Sequence, residues 1–226
     1  LIKRLSLQIM EDEIAWWNKA VECGWLVDTK QSRARARSEV VLDSAKQSFN
    51  SRGYEKTRIE QIAATANCSV GSIYQRFPDK KSILCVLQLR QYYSNERGLD
   101  RLSEVHASRL TTDDILYRYI IRTAEHMRTH TKIRRAFIDF SITDKTALSV
   151  KEHHAAYMGD RLTDFLVNRR EIDDSAISRV QGMMISKIVM GTLDNLFADT
   201  AADTDSINVV LTLRDMILAY IRQKRL

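Results

Sequence analysis

The sequence predicts an all-α fold, with an N-terminal three-helix helix-turn-helix domain followed by a larger helical C-terminal domain. Its 226 residues include one proline and seven glycines, so long helices meet few breakers. No stretch shows the polar and β-branched alternation of a half-buried strand, whereas apolar residues recur at helical spacing. The length is sufficient for two domains with buried cores.

Positive charge is concentrated in one segment of the chain. Residues 33–81 hold ten Lys and Arg against five Asp and Glu, and this excess supplies most of the formal net charge of +6. Such a concentration favours a polyanionic partner, although a solvated basic surface would give the same count.

The first 32 residues are predicted to be an appendage that packs on the rest of the protein. All three tryptophans of the chain lie in it. Met10, Ile14, Trp17, Val21 and Trp25 recur at helical spacing, which predicts a short amphipathic helix.

Residues 33–81 have the sequence signals of three short helices, predicted over residues 37–52, 58–66 and 70–76. Gly53 ends the first of them, and Thr57 is a suitable N-cap for the second. Asn67 tolerates the left-handed conformation of a tight turn, and Ser69 caps the third helix. Asp79 then caps a long fourth helix. Two short helices joined by a tight turn behind another helix are the parts of a helix-turn-helix.

The third helix of this motif would enter the major groove of DNA. The small residues Gly71 and Ser72 at its leading edge permit close approach. The Gln75 amide can pair with adenine, while Ser72 and Val70 can contact base edges through a hydroxyl and a methyl group. Arg76 can reach a base or a phosphate. The alternative for Gln75 is a solvated surface side chain with no part in reading DNA.

The basic arm before the first helix contains Arg33, Arg35 and Arg37. These side chains can neutralise phosphates or enter the minor groove, and Arg37 is the candidate for DNA contact. A solvated tail remains the alternative.

The run VVLDSAKQSFNSRGYEKTRIEQIAATANCSVGSIYQRFPDKKSIL resembles the DNA-binding domain of the TetR family of repressors. The matching positions are Phe49, Gly53, Tyr54, Thr57, Ile62, Ala63, Ser69, Gly71, Ser72, Ile73, Tyr74, Phe77 and Lys80. The resemblance implies an all-helical homodimer whose larger C-terminal domain binds a small effector. It also implies that Thr57, Tyr74 and Lys80 contact phosphates. The family usually has glycine where this chain has Asn67, and asparagine is the best substitute in a left-handed turn.

The predicted domain layout is an appendage at 1–32, the DNA-binding domain at 33–81 and an effector-binding and dimerisation domain at 82–226. Helices in the last are expected over residues 113–130, 132–142, 144–169, 173–197 and 205–222. The final two carry more apolar side chains than one inward face needs: Met183, Met184, Ile188, Val189, Leu193, Leu213, Ile217 and Tyr220. We therefore expect a homodimer through these helices, with Gly182 and Gly191 permitting close approach.

An effector pocket is expected between helices of the C-terminal domain. Aromatic and methionine side chains that could line an adaptable apolar cavity are Phe137, Phe140, Tyr157, Met158 and Met184. The effector would then be small and largely apolar, and it would release a repressor from a palindromic operator. A plain hydrophobic core is the alternative for each of these residues.

Other classes of protein have little support in the sequence. Three widely spaced cysteines argue against a disulfide framework or a zinc site, so we expect reduced thiols in a cytoplasmic protein. No apolar run is long enough to span a membrane, and no catalytic or phosphate-binding motif appears, so we expect no membrane association, enzyme activity, cofactor or metal. Two alternatives stay open: an architectural DNA-binding protein without an effector, and an enzyme that uses the histidines.

Overall fold

The structure is a computed structural model that describes residues 14–28, 32–106, 110–169, 176–197 and 206–223. Within these ranges the regular structure is entirely helical, and no helix is long and apolar enough to cross a membrane. The helices are α1 (14–22), α2 (Ser32–Arg52), α3 (Ile59–Thr65), α4 (Val70–Tyr74), α5 (Lys80–His106), α6 (Thr112–Thr129), α7 (Thr131–Ser141), α8 (Lys145–Asn168), α9 (Ala176–Leu196) and α10 (Ser206–Gln223).

The predicted helices are confirmed with small changes at their ends. Among the described residues nine helices follow α1, each within a few residues of the predicted bounds. The largest difference is at α2, which begins at Ser32 instead of residue 37. The arginines and alanines of that stretch have high helix propensity, which explains the longer helix.

The chain divides into two compact units that do not coincide with a simple N-terminal and C-terminal split. Unit 1 comprises residues 1–93 and 132–148, and unit 2 comprises residues 94–131 and 149–226. Helix α5 is shared between the units: its residues up to 93 belong to unit 1, and those from 94 onward belong to unit 2. The functional division at residues 32 and 81 stays a prediction.

The core of unit 1 joins the helix-turn-helix to α5 and α7. Leu42, Phe49, Ile62 and Ile83 are fully buried in it. The Phe49 ring lies edge-on to Tyr54, with 5.4 Å between centroids. This core fixes the helices that carry the candidate DNA-binding side chains.

The tryptophan-rich segment packs as part of unit 1. A helix is present at residues 14–22, but its buried side differs from the predicted stripe, since Ile14 is exposed and Trp16 is buried. Met10 lies outside the described residues. Trp16, Trp17 and Trp25 are nearly fully buried. The rings of Trp16 and Trp17 meet edge to face, with centroids 5.6 Å apart.

The core of unit 2 is formed by side chains of α5, α6, α8, α9 and α10. It includes Val189, Leu193, Leu213 and Ile217, four of the apolar side chains from which the sequence predicts a dimer. Because unit 2 buries these four in its own interior, they are not available to a second chain. Met184 and Ile188, which belong to the same predicted set, are each about half accessible on α9, together with Val180.

Glycines let α8 and α9 approach closely within unit 2. A Cβ atom built at Gly159 would lie 2.6 Å from the Cα atom of Met183, and one at Gly182 would collide with Thr163. Gly182 therefore serves packing inside the chain. At Gly191 a Cβ atom would meet nothing within 4 Å.

Candidate DNA-binding surface

The turn of the helix-turn-helix has the geometry that its sequence predicts. Asn67 adopts the left-handed conformation with φ of 49°, and Gly53 does so with φ of 86° after α2. The Cys68 N–H donates to the Ala63 carbonyl at 3.0 Å, which closes the turn after α3. Ser69 caps α4, since its hydroxyl accepts from the Ser72 N–H at 3.1 Å.

Helix α4 has one buried and one exposed face. Ile73 and the following Phe77 are fully buried, which confirms the predicted apolar support. Tyr74 and Gln75 are exposed on the outer face together with Gly71. Gln75, the first predicted base reader, is therefore exposed on the same face as Tyr74, whereas Ser72 and Val70 are only partly exposed.

Two details refine the leading edge of α4. The hydroxyls of Ser69 and Ser72 lie 2.9 Å apart in a hydrogen bond, and Val70 is half-buried beside them. A Cβ atom at Gly71 would have no neighbour closer than the Ser69 Oγ at 3.9 Å. Alanine would therefore fit in the free protein, and any need for glycine here would come from the approach of a partner.

Arg76 has contacts that the sequence did not reveal. Its side chain is buried at 8% exposure. One guanidinium nitrogen donates to the Ser72 carbonyl at 2.6 Å, and Nε donates to the Ala34 carbonyl at 3.4 Å. Arg76 thereby ties the end of α4 to α2 instead of projecting outward with Gln75.

Thr57 is also directed inward. Its side chain is only 1% exposed, and its hydroxyl donates to the Gly53 carbonyl at 2.7 Å. Arg58 stands at the N-cap position of α3, which sequence analysis gave to Thr57. Thr57 instead stabilises the loop that leads into the motif.

Lys80 links the start of α5 to the same loop. Its ammonium donates to the Tyr54 carbonyl at 3.0 Å and to the Thr57 carbonyl at 3.1 Å. It also lies 4.2 Å from the centre of the Tyr54 ring. Partial burial raises the pKa of Tyr54 to about 12. An ammonium has three N–H bonds, and the two carbonyls use two of them.

The three arginines of the basic arm differ in exposure. Arg33 and Arg37 are exposed on α2. Arg35 is half-buried, and its guanidinium carbon lies 5.1 Å from the centre of the Trp17 ring. Arg37 is thus available to a phosphate, whereas Arg35 is held by the tryptophan.

The five residues predicted to line an effector pocket fall into different units. Phe137 and Phe140 belong to unit 1, and Tyr157, Met158 and Met184 belong to unit 2. Phe137 is fully buried against Tyr92, with ring centroids 6.0 Å apart. In unit 2, Met158 is buried in the core and Met184 is exposed.

Tyr157 carries a hydrogen bond that sequence analysis did not anticipate. Its hydroxyl donates to the Asp100 carboxylate at 2.7 Å. Nearby on the same pair of helices, His154 Nδ1 and the Glu96 carboxylate lie 2.7 Å apart. Two polar pairs therefore join α5 to α8 inside unit 2.

Phe140 borders a groove of about 490 Å³ in unit 1. The groove lies between the loop after α2 and helix α7. Its lining includes five basic and two acidic residues, which are Arg52, Lys56, Lys81, Lys132, Arg135, Glu55 and Asp139. The Lys81 ammonium lies 4.2 Å from the centre of the Phe140 ring. The groove is thus basic with aromatic walls.

Comparison with known proteins agrees with this architecture. Residues 41–85 match the family model described as bacterial regulatory proteins, tetR family. No curated protein matches the chain significantly.

Solved structures of similar fold include a putative TetR-family transcriptional regulator from Mesorhizobium loti, with 16% identity and a TM-score of 0.67 over 84% of this chain and 97% of that one. The fatty acid degradation regulator FadR from Bacillus halodurans has 16% identity and a TM-score of 0.58 over 80% of this chain and 97% of that one. SmeT in complex with triclosan has 21% identity and a TM-score of 0.58 over 82% of this chain and 91% of that one. The chain therefore carries the N-terminal domain of the TetR family and has the all-helical fold of TetR-family transcriptional regulators.

Proposed function

We propose that this protein is a dimeric, sequence-specific DNA-binding repressor that a small effector releases from a palindromic operator. TetR-family proteins are DNA-binding transcriptional regulators, which gives the class of activity. The observation that carries the proposal is the exposed outer face of α4, where Gly71, Tyr74 and Gln75 stand above a fully buried support. A helix with this division can enter the major groove while the domain stays folded.

In the docked state each exposed side chain has a distinct task. Gln75 reads a base edge, with Ser72 and Val70 beside it. Tyr74, Arg37 and the remaining N–H of Lys80 bind phosphates. The burial of Thr57 and Arg76 supports a positioning role for both: they shape the loop and fix the end of α4. Ser69 contributes as the cap of α4.

The second copy of the chain covers the exposed apolar face of unit 2. Val180, Met184 and Ile188 recur every four residues along α9, and Met216 and Tyr220 do so on α10. A contiguous exposed apolar row of this kind marks an interaction surface. Pairing of α9 and α10 with their symmetry mates would bury it in a four-helix arrangement.

The effector is proposed to act on α5, which runs from the helix-turn-helix into unit 2. SmeT, with a solved triclosan complex, supports a small-molecule ligand for this fold. In unit 2 the Tyr157–Asp100 and His154–Glu96 pairs supply hydrogen-bonding groups for such a ligand. A ligand that instead occupied the groove at Phe140 would carry negative charge, because cations outnumber carboxylates there.

Selection of bound duplexes from a random pool tests the DNA-binding proposal. We expect enrichment of an inverted repeat whose half-sites are centred about one helical turn, roughly 34 Å, or a multiple apart. Bound DNA without any enriched sequence would contradict the proposal and favour an architectural protein.

A further inference from the structure

We propose that residues 14–28, here called the N-terminal brace, position the end of recognition helix α4 for base reading. The inference rests on the DNA-binding function proposed above. It gives the tryptophan-rich segment a specific task in sequence recognition. Four observations support it: the length of α4, one backbone hydrogen bond, the anchoring of the tryptophans, and the location of Gln75.

Helix α4 is too short to hold its own orientation. It contains five residues, Val70–Tyr74, and Gln75 is its C-cap. A single turn of helix is unstable by itself, so the position of its last residues depends on tertiary contacts. Gln75, the proposed base reader, lies at this end of the helix.

The brace makes a direct backbone contact there. The Val27 N–H donates to the Arg76 carbonyl at 2.8 Å. The Val27 side chain is 45% exposed, so the contact depends on the backbone and not on burial of this side chain. On its other side Arg76 is bonded to Ala34 of α2. The residue next to Gln75 is thus held from two directions.

The tryptophans anchor the brace to two helices of unit 1. The Arg35 guanidinium of α2 lies over Trp17, and the Arg90 guanidinium of α5 lies 5.2 Å from the centre of the Trp16 ring. Trp25 is buried two residues before Val27. Large buried rings with cation–π partners make a rigid attachment, so Val27 meets Arg76 from a fixed base.

Loss of this contact has a distinctive consequence for DNA binding. A glutamine pairs with adenine through two hydrogen bonds, and this pairing requires a fixed side-chain origin. Phosphate contacts are tolerant of small displacements and carry no sequence information. Loosening the end of α4 should therefore lower affinity for the selected sequence without lowering affinity for other DNA.

The test compares Val27→Pro, which removes the N–H, with the matched control Val27→Ala, which keeps it. Probes are the duplex selected by the wild-type protein and a scrambled duplex of equal length. One backbone hydrogen bond corresponds to about fivefold, roughly 1 kcal/mol. We expect Val27→Pro to lose about fivefold on the selected duplex only, and Val27→Ala to retain wild-type affinity. If the ratio of the affinity for the selected duplex to that for the scrambled duplex were the same in the two variants, the proposal would be overturned.

Hydrogen exchange on the unaltered full-length chain tests the contact without DNA and without a variant that must fold. The Phe77 N–H donates to the Ile73 carbonyl at 2.9 Å, so it reports opening of the end of α4. We expect the Val27 and Phe77 amides to be protected to a similar degree, because one opening event exposes both. A Val27 amide that exchanges like a free coil amide would refute the brace. Absence of any enriched sequence in the selection from the random pool would instead refute sequence-specific DNA binding.

Discussion

Replacement of Lys80 by methionine should separate two roles of one side chain, since Lys80→Met keeps the apolar stem and removes the ammonium. The ammonium donates to the carbonyls of Tyr54 and Thr57 and lies over the Tyr54 ring. Hydrogen bonds from charged donors contribute up to about 3 kcal/mol each when dry, but Lys80 is only half-buried, so we expect a total loss near 2 kcal/mol. For a chain of this size that lowers Tm by roughly 4–8 °C.

The second role appears in the salt dependence of DNA binding. If each subunit neutralises about four phosphates, log affinity against log salt has a slope near −7 for the dimer. Loss of the Lys80 contact in both subunits should flatten that slope by roughly 2. Thermal unfolding and binding titrations at several salt concentrations measure the two effects separately, with binding measured well below Tm.

Lys81→Met is the matched control for this experiment. The Lys81 ammonium is 3.7 Å from an Asp144 carboxylate oxygen, and 41% of its side chain is exposed. Such a pair is worth less than about 1 kcal/mol, so its removal should change Tm little. An unchanged Tm in Lys80→Met would refute the structural role of the ammonium. An unchanged slope of log affinity against log salt in Lys80→Met would refute the contact of the Lys80 ammonium with a phosphate.

Three further predictions concern the same surfaces. Arg37→Met should flatten the salt slope by roughly 2 per dimer, whereas Arg35→Met should leave it unchanged because Arg35 stacks on Trp17; equal slopes in titrations of both variants would contradict this difference. Gln75→Ala should relax preference at one base pair of each half-site by about 1–3 kcal/mol, which repeated pool selection would detect, and an unaltered consensus would exclude Gln75 as a reader. Ile188→Asp, on the exposed row of α9, should give monomers by light scattering, with the exposed α6 variant Arg118→Asp as control; a dimeric Ile188→Asp protein would place the interface elsewhere.

The sequence predicts those parts of the site whose signals are local. The left-handed Asn67 and the Ser69 cap depend on neighbours within a few positions, and both are confirmed. The inward direction of Arg76 depends on Ala34, which lies 42 residues earlier in the chain. No spacing rule within the motif predicts that contact.

The assignment of faces on α9 shows the same limit. Met184 and Leu193 are both apolar, so composition cannot distinguish the exposed one from the buried one. The other helices of unit 2 make that choice, because they cover Leu193 and leave Met184 accessible. Of the apolar side chains that the sequence analysis named on the last two helices, three are exposed and four are buried: Met184, Ile188 and Tyr220 against Val189, Leu193, Leu213 and Ile217. The dimer through these helices stays a prediction.

An effector that acts through α5 must work against both polar and apolar contacts between this helix and the helix-turn-helix. A 100-fold loss of operator affinity needs about 2.7 kcal/mol of coupling free energy. The Lys80 contacts, at about 2 kcal/mol, correspond to roughly 30-fold by themselves. Arg90 of α5 pairs with Glu39 of α2 at 2.9 Å, and a partly exposed pair adds up to about 1 kcal/mol. Ile83 of α5 is fully buried in the core of unit 1, and burial of such a side chain contributes about 1.5–3 kcal/mol more. Together these contacts exceed the required magnitude, so we expect α2 and the loop after α2 to follow a movement of α5 and the helix-turn-helix to shift as one body.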